Sequence, residues 1–142
     1  MYKKITTWYL AVAMFMFGIL KFVNPFKAWY SVQIANSGLG KFSYIIGILG
    51  EVSVGLTLII CLLYRNKMST RLYGQLTNIT FVVIIIMMGT AIYVHLNPNV
   101  PAEVLPLKIK QPFIPIFFML IAFSNLVLSL QDVSRQIENQ KA

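Results

Sequence analysis

Apolar residues run through this chain in four long blocks, separated by short polar punctuation. The first block covers about residues 5–22 and stops at Asn24-Pro25; the second covers about 42–64 and ends at the basic cluster Arg65, Lys67 and Arg71. A third, about 72–96, is most apolar over residues 81–88 and stops at Asn97-Pro98. The fourth, about 112–130, gives way to a polar tail from Gln131 onward. Each block approaches the roughly 20 residues that a helix needs to cross a hydrocarbon core. Residues 81–88 do not alternate between apolar and polar, as a barrel strand would. Helices satisfy their own backbone hydrogen bonds in lipid, so helices are the expected form. The pattern predicts an all-α fold, an integral membrane four-helix transmembrane bundle, with residues 1–142 forming a single domain.

The connections have patterns of their own. Between Asn24 and Lys41, the residues Phe26, Trp29, Tyr30 and Ile34 recur at helical spacing, which predicts a short helix lying in the interface. Between Asn97 and Gln111, Pro98, Pro101 and Pro106 fix φ and predict a rigid, non-helical connection. Arg65 to Arg71 reads as a tight basic turn. The first block follows Lys3 and Lys4 as a signal peptide would. It lacks a small-residue cleavage site, however, and Lys21 interrupts its end, so it is read as a membrane helix.

Composition agrees with the pattern. The chain is 58% hydrophobic and 11% charged, against about 45–50% apolar and 25% charged in an ordinary soluble domain. A mean hydropathy of +0.74 rules out a water-facing enzyme surface. The net charge of +8 is too sparsely carried to line a nucleic-acid groove. It reads instead as an orientation signal. Lys3, Lys4, Arg65, Lys67, Arg71, Arg135 and Lys141 fall on one side of the predicted bundle, and Lys27, Lys41, Lys108 and Lys110 on the other. The positive-inside rule then favours both termini in the cytoplasm, and the chain is read as a multi-pass protein of a bacterial inner membrane.

Two charges break this account, Lys21 at the outer end of the first block and Glu51 within the second. A charge at the centre of a spanning helix costs about 2.5–3.5 kcal/mol, so it needs a partner or a wet cavity. Glu51 lies roughly 13 Å inside the second block at 1.5 Å per residue, within reach of a lysine descending from the first. Gly47, Glu51 and Gly55 share one helix face, and such small residues admit a close neighbour. The pair reads either as a structural clasp or as a ligand or proton site. Gln75 and Asn78 share a face of the third block, where amides ordinarily bond a neighbouring helix. His95, at its outer end, is either a wetted boundary residue or a proton-handling group beside a cavity reaching Lys21 and Glu51. Asn125 reads as an interhelical hydrogen bonder. Cys61, flanked by Ile60, Leu62 and Leu63, reads as a small hydrophobe. One His and one Cys leave no metal-ligand set, and no CxxC, phosphate loop or nucleophilic triad stands at a recognisable spacing. An enzymatic role has little support in the residues.

The sequence Gly18-Ile-Leu-Lys21 followed by Asn24-Pro25, then Gly50-Glu51 with Gly55 and a closing Arg71, resembles the DoxX-like family of small four-helix membrane proteins. The matching positions are Gly18, Lys21, Pro25, Glu51, Gly55 and Arg71, and the likeness covers about residues 5–130. Most members of that family have no assigned activity. The small size, short loops, absent catalytic motifs and Gly-lined helix face read as an accessory or assembly subunit of a larger membrane complex. The resemblance, with Lys21, Glu51 and His95 near one side, alternatively implies a quinone-linked membrane redox subunit. It leaves the bound group open between a quinone and a lipid. The partners it implies are membrane lipids together with either a larger complex or further copies of the chain. Fold analogy alone transfers no reaction.

Overall fold

The structure, a computed structural model, describes the backbone of residues 1–141 and the side chains of residues 1–132. The side chains of Arg135 and Lys141, which the charge count placed beside the N-terminus, lie outside the described residues. Among the described residues five α-helices follow one another: α1 (Tyr2–Leu20), α2 (Phe26–Ser37), α3 (Lys41–Leu63), α4 (Thr70–Leu96) and α5 (Phe113–Lys141). Among the described residues there is no strand. Four helical segments are long and apolar enough to cross a membrane: Tyr2–Leu20, Lys41–Leu63, Thr70–Leu96 and Phe113–Asp132.

Local chemistry sets the helix ends. The α1 helix stops one residue before Lys21, and the turns Phe22 to Ile19 and Val23 to Leu20 lead to a cis Asn24-Pro25 bond. A helical conformation is disfavoured just before a proline. Gly38 ends α2 with φ +76°, and Gly40 opens α3 with φ +77°. A Cβ at either would meet nothing within 4 Å, so these glycines serve the left-handed backbone and not a tight contact. Ser69 caps α4 by accepting from the Leu72 N–H at 3.2 Å. The polar tail extends α5 as helix, because Gln, Arg, Glu and Lys are good helix formers and an apolar boundary need not end the backbone ladder. The basic turn is a single 3₁₀ turn, Arg65–Lys67, and Arg71 already belongs to α4.

The four long helices form a closed ring in which α1 packs most extensively on α3, α4 on α5, and α3 and α1 on α4 and α5. Their shared core comprises Leu10, Ala11 and Met14 of α1, Val54 and Leu58 of α3, Phe81, Ile84 and Met88 of α4, and Phe118 and Ala122 of α5. Only 28% to 33% of each span is buried inside the protein. The remaining faces carry Ile46, Ile79, Ile86, Leu120 and Phe123 outward, a surface suited to lipid and poorly suited to water.

Both longer connections lie at the same end of the ring and interlock there. The α2 helix is where the aromatic spacing places it. Tyr30 and Ile34 turn inward against Ile48, while Phe26 stays exposed. The proline-rich connection departs from the non-helical expectation. It contains one 3₁₀ turn, Ala102–Val104, while the segment Pro106–Lys108 stays non-helical, with Leu107 and Lys108 in the left-handed region at φ +55° and +57°. It buries Val100 and Leu105 beside Val94. The Gln33 amide donates to the Val104 carbonyl, and the Tyr93 hydroxyl and Asn97 amide both donate to the Ser37 carbonyl, at 3.1 and 3.2 Å. The Lys110 ammonium donates to the carbonyls of Asn97 and Val100. The two connections thus make one cap.

Candidate functional site

Beneath that cap the two charges carried within the long apolar blocks meet. Lys21, the residue that closes α1, sends its ammonium to Glu51 of α3, donating to Oε1 at 2.6 Å. Their side chains are 16% and 12% exposed. Glycines make the approach possible. A Cβ on Gly18 would strike Val52 and lie 3.2 Å from the Glu51 Cβ, and a Cβ on Gly55 would enter the backbone of Phe15. The α1 and α3 helices therefore approach backbone to backbone at the level of the acid, where Gly18 meets Val52, and one turn further along α3, where Gly55 meets Phe15, which is the close crossing that small residues permit.

A third helix completes the arrangement. The Tyr30 ring of α2 lies under the Lys21 ammonium, 3.9 Å from centroid to Nζ, a cation–π contact worth about 2 kcal/mol when desolvated. Its hydroxyl donates to the Ser43 carbonyl at 3.3 Å and occupies the space left by Gly47. Tyr44 sits against the same ring, centroids 5.2 Å apart. Burial, with the Glu51 carboxylate nearby, pushes the Tyr30 hydroxyl well above the ordinary phenol range, so it remains a donor. Gly47 thus makes room for the Tyr30 ring of α2, while Gly55 admits α1.

The pair is not fully satisfied. Glu51 Oε2 is buried and has no hydrogen-bond donor. A buried carboxylate oxygen left bare is costly, and it gives the site an acceptor for a proton or a donating ligand. Two shallow grooves occur elsewhere. One, between α1 and α5, is lined by Tyr9, Phe17, Phe113, Phe117 and Phe118; the other, on α4, is lined by Leu39, Ile86, Gly89, Thr90 and Tyr93. Neither includes Lys21, Tyr30 or Glu51.

The remaining candidates lie apart from this pair. His95 is not wetted: it is 4% exposed, under the returning connection, with the backbone of residues 109–111 and the Lys110 charge as its neighbours. Its Nδ1 has no partner. The fold-back of the proline-rich segment covers the histidine, and Tyr30 takes the place beside Lys21. Gln75 is exposed, and the Asn78 Oδ1 is buried without a partner, so among the described residues neither bonds a neighbouring helix. Their neighbours Thr77 and Thr80 bond back to the carbonyls of Tyr73 and Leu76 on the same helix, at 2.8 and 2.7 Å. Asn125 does bridge helices, accepting from the Thr6 hydroxyl at 2.7 Å and reaching the Thr7 hydroxyl at 3.5 Å. Cys61 is buried. Among the described residues no three of His, Cys, Asp and Glu come close enough to hold a metal ion.

Sequence reasoning missed Tyr30 as the third member and Lys110 as the tie of the cap. The signal for Tyr30 was present in its inward register on α2. For Lys110 there was none, because its partners are main-chain carbonyls that carry no residue type. Compared with family models, with curated proteins and with solved structures, the chain matches none of them.

Proposed function

We propose that this chain is a multi-pass protein of a bacterial inner membrane, with both termini cytoplasmic, that acts as an accessory or assembly subunit of a larger membrane complex. One observation carries this reading: the two intramembrane charges are spent on each other, in a clasp that locks α1, α2 and α3. A subunit that works by presenting a rigid surface needs such internal closure. The short connections, the interlocked cap and the absence of a catalytic motif support the same role, as does the DoxX-like pattern at Gly18, Lys21, Pro25, Glu51, Gly55 and Arg71. The test is tagged expression at native level followed by mild detergent extraction. A larger membrane complex should co-purify in stoichiometric amounts. Recovery of the chain alone from several detergents counts against the role.

A second reading, a quinone-linked redox subunit, is favoured by one feature, the bare Glu51 Oε2 beside Lys21 and Tyr30. That oxygen is an acceptor for the hydroxyl of a reduced quinone. Solvent extraction of the purified protein should then yield quinone, with a lower yield from Glu51→Gln. An extract free of quinone removes this reading.

A further inference from the structure

The turn that joins α3 to α4, with the start of α4, carries Arg65, Lys67 and Arg71 within seven residues, all exposed. The ion pairs among the described residues are Lys3–Asp132 and Lys21–Glu51, so none of these three cations has a carboxylate partner there. Two of them are nonetheless held in place. The Arg65 guanidinium carbon lies 4.3 Å from the Tyr73 ring centroid, and the Lys67 ammonium 5.6 Å from that of Tyr64. Tyr64 closes α3 and Tyr73 lies in the first turn of α4. Both rings therefore mark the ends of apolar helices, where tyrosine sits at headgroup depth. Stacking fixes the cations at that depth and removes part of the entropy they lose on meeting an anion.

The surroundings point to a particular kind of anion. Leu63, Tyr64 and Leu72 flank the cations and are 65%, 51% and 46% exposed. A small soluble phosphate would find only exposed side chains, whose field is screened over about 8 Å at physiological salt. A phosphate carried on acyl chains would find apolar flanks for the chains and three cations for the headgroup. The opposite end offers no equivalent, since the Lys110 ammonium is committed to the carbonyls of Asn97 and Val100. Lys27, Lys41 and Lys108 there are spread over three separate elements.

We propose that the α3–α4 turn is a binding site for the headgroup of an anionic phospholipid, with Arg65, Lys67 and Arg71 as its cationic contacts. The site rests on α3 and α4 crossing a membrane. It is independent of the accessory-subunit role and of which side the turn faces.

The test uses the full chain in mild detergent, offered equal amounts of phosphatidylglycerol and phosphatidylcholine, with bound lipid counted by native mass spectrometry. Phosphatidylglycerol should predominate by about fivefold or more, the scale set by one or two basic residues at a charged surface. Combining Arg65→Gln, Lys67→Gln and Arg71→Gln should abolish that preference, while combining Lys27→Gln, Lys41→Gln and Lys108→Gln should leave it intact. Equal binding of the two lipids by the wild-type chain overturns the proposal, and so does an undiminished preference in the first combination. Should that combination fail to fold, the wild-type preference measured at rising salt decides: it should fall steeply, and a constant ratio overturns the site. Displacement of the lipid by equimolar glycerol phosphate reassigns the turn to a soluble anion, and displacement by an acidic peptide reassigns it to a protein partner; either refutes the lipid site. Carbonate washing of membranes keeps the underlying reading separate. Protein released by the wash refutes membrane insertion itself, whereas protein retained without a lipid preference refutes only the headgroup site.

Discussion

Lys21 and Glu51 stand thirty positions apart in the chain and meet at 2.6 Å, with one carboxylate oxygen bonded and the other bare. The ammonium is shared between that carboxylate and the Tyr30 ring. Three helices are therefore joined through a single nitrogen.

Breaking the pair on one side leaves a buried charge uncompensated, a loss of about 3–5 kcal/mol in comparable sites. Lys21→Met and Glu51→Gln should each lower the thermal unfolding temperature in detergent. The double variant should lose clearly less than the two losses combined, with a coupling above about 1 kcal/mol. Additive losses would show that the pair contributes no mutual stabilisation.

Gly55 separates a packing requirement from helix propensity. Gly55→Ala should destabilise the fold by about 1–3 kcal/mol, because the added Cβ enters the Phe15 backbone and pushes α1 off α3. Gly89→Ala, where a Cβ meets nothing within 4 Å, should be neutral or stabilising by up to about 1 kcal/mol, the propensity gain in a helix interior. Detergent-state melting of both checks the contrast. Equal effects at the two positions would contradict the close crossing.

Asn125 joins α5 to α1 through Thr6 and Thr7, yet the energy at stake is modest. Both hydroxyls also donate to carbonyls of their own helix, Thr6 to Tyr2 at 3.0 Å and Thr7 to Lys3 at 2.6 Å. Neither is left unsatisfied when the amide goes. A cycle of Asn125→Leu with Thr6→Val should give a coupling of about 0.6 kcal/mol, the usual size of an interhelical hydrogen bond in a membrane protein. A coupling several times larger would mean that Asn125 organises more than this contact.

Lys110 tests the cap. Its replacement by methionine removes the donor to the carbonyls of Asn97 and Val100 and leaves two part-buried acceptors without it. Amide hydrogen exchange over residues 97–111 should quicken, while the core of α3 and α4 stays protected. Unchanged exchange in that stretch would show that Val100 and Leu105 hold the connection by packing alone.

Much of the architecture was legible from the residues because the relevant signals are local. Apolar blocks of spanning length and prolines at residues 25 and 98 act within a few residues of where they stand. The inward register of Tyr30 and Ile34 is a helical period that any reader of the chain can count. Burial of Glu51 against α1 was legible for a similar reason, since Gly18 and Gly55 advertise a close neighbour. His95 was not. Its covering depends on a connection that returns over it from residues 109–111, and no local pattern records a return. Gln75 and Asn78 show the same limit from the other side. A shared face on one helix does not say whether a neighbour lies opposite, and in this ring Gln75 faces outward.

By itself, then, the sequence determined the helices, their order and the two charges that require an explanation, because hydrophobic periodicity and the cost of a buried charge are properties of short stretches and single residues. Only the tertiary structure decided which groups answer those charges. Tyr30 lies under Lys21, Oε2 of Glu51 is left bare, and His95 is closed beneath the cap. Each of these depends on how helices distant in the chain cross and how a connection folds back, and the chain encodes such geometry only through the summed packing of all its elements.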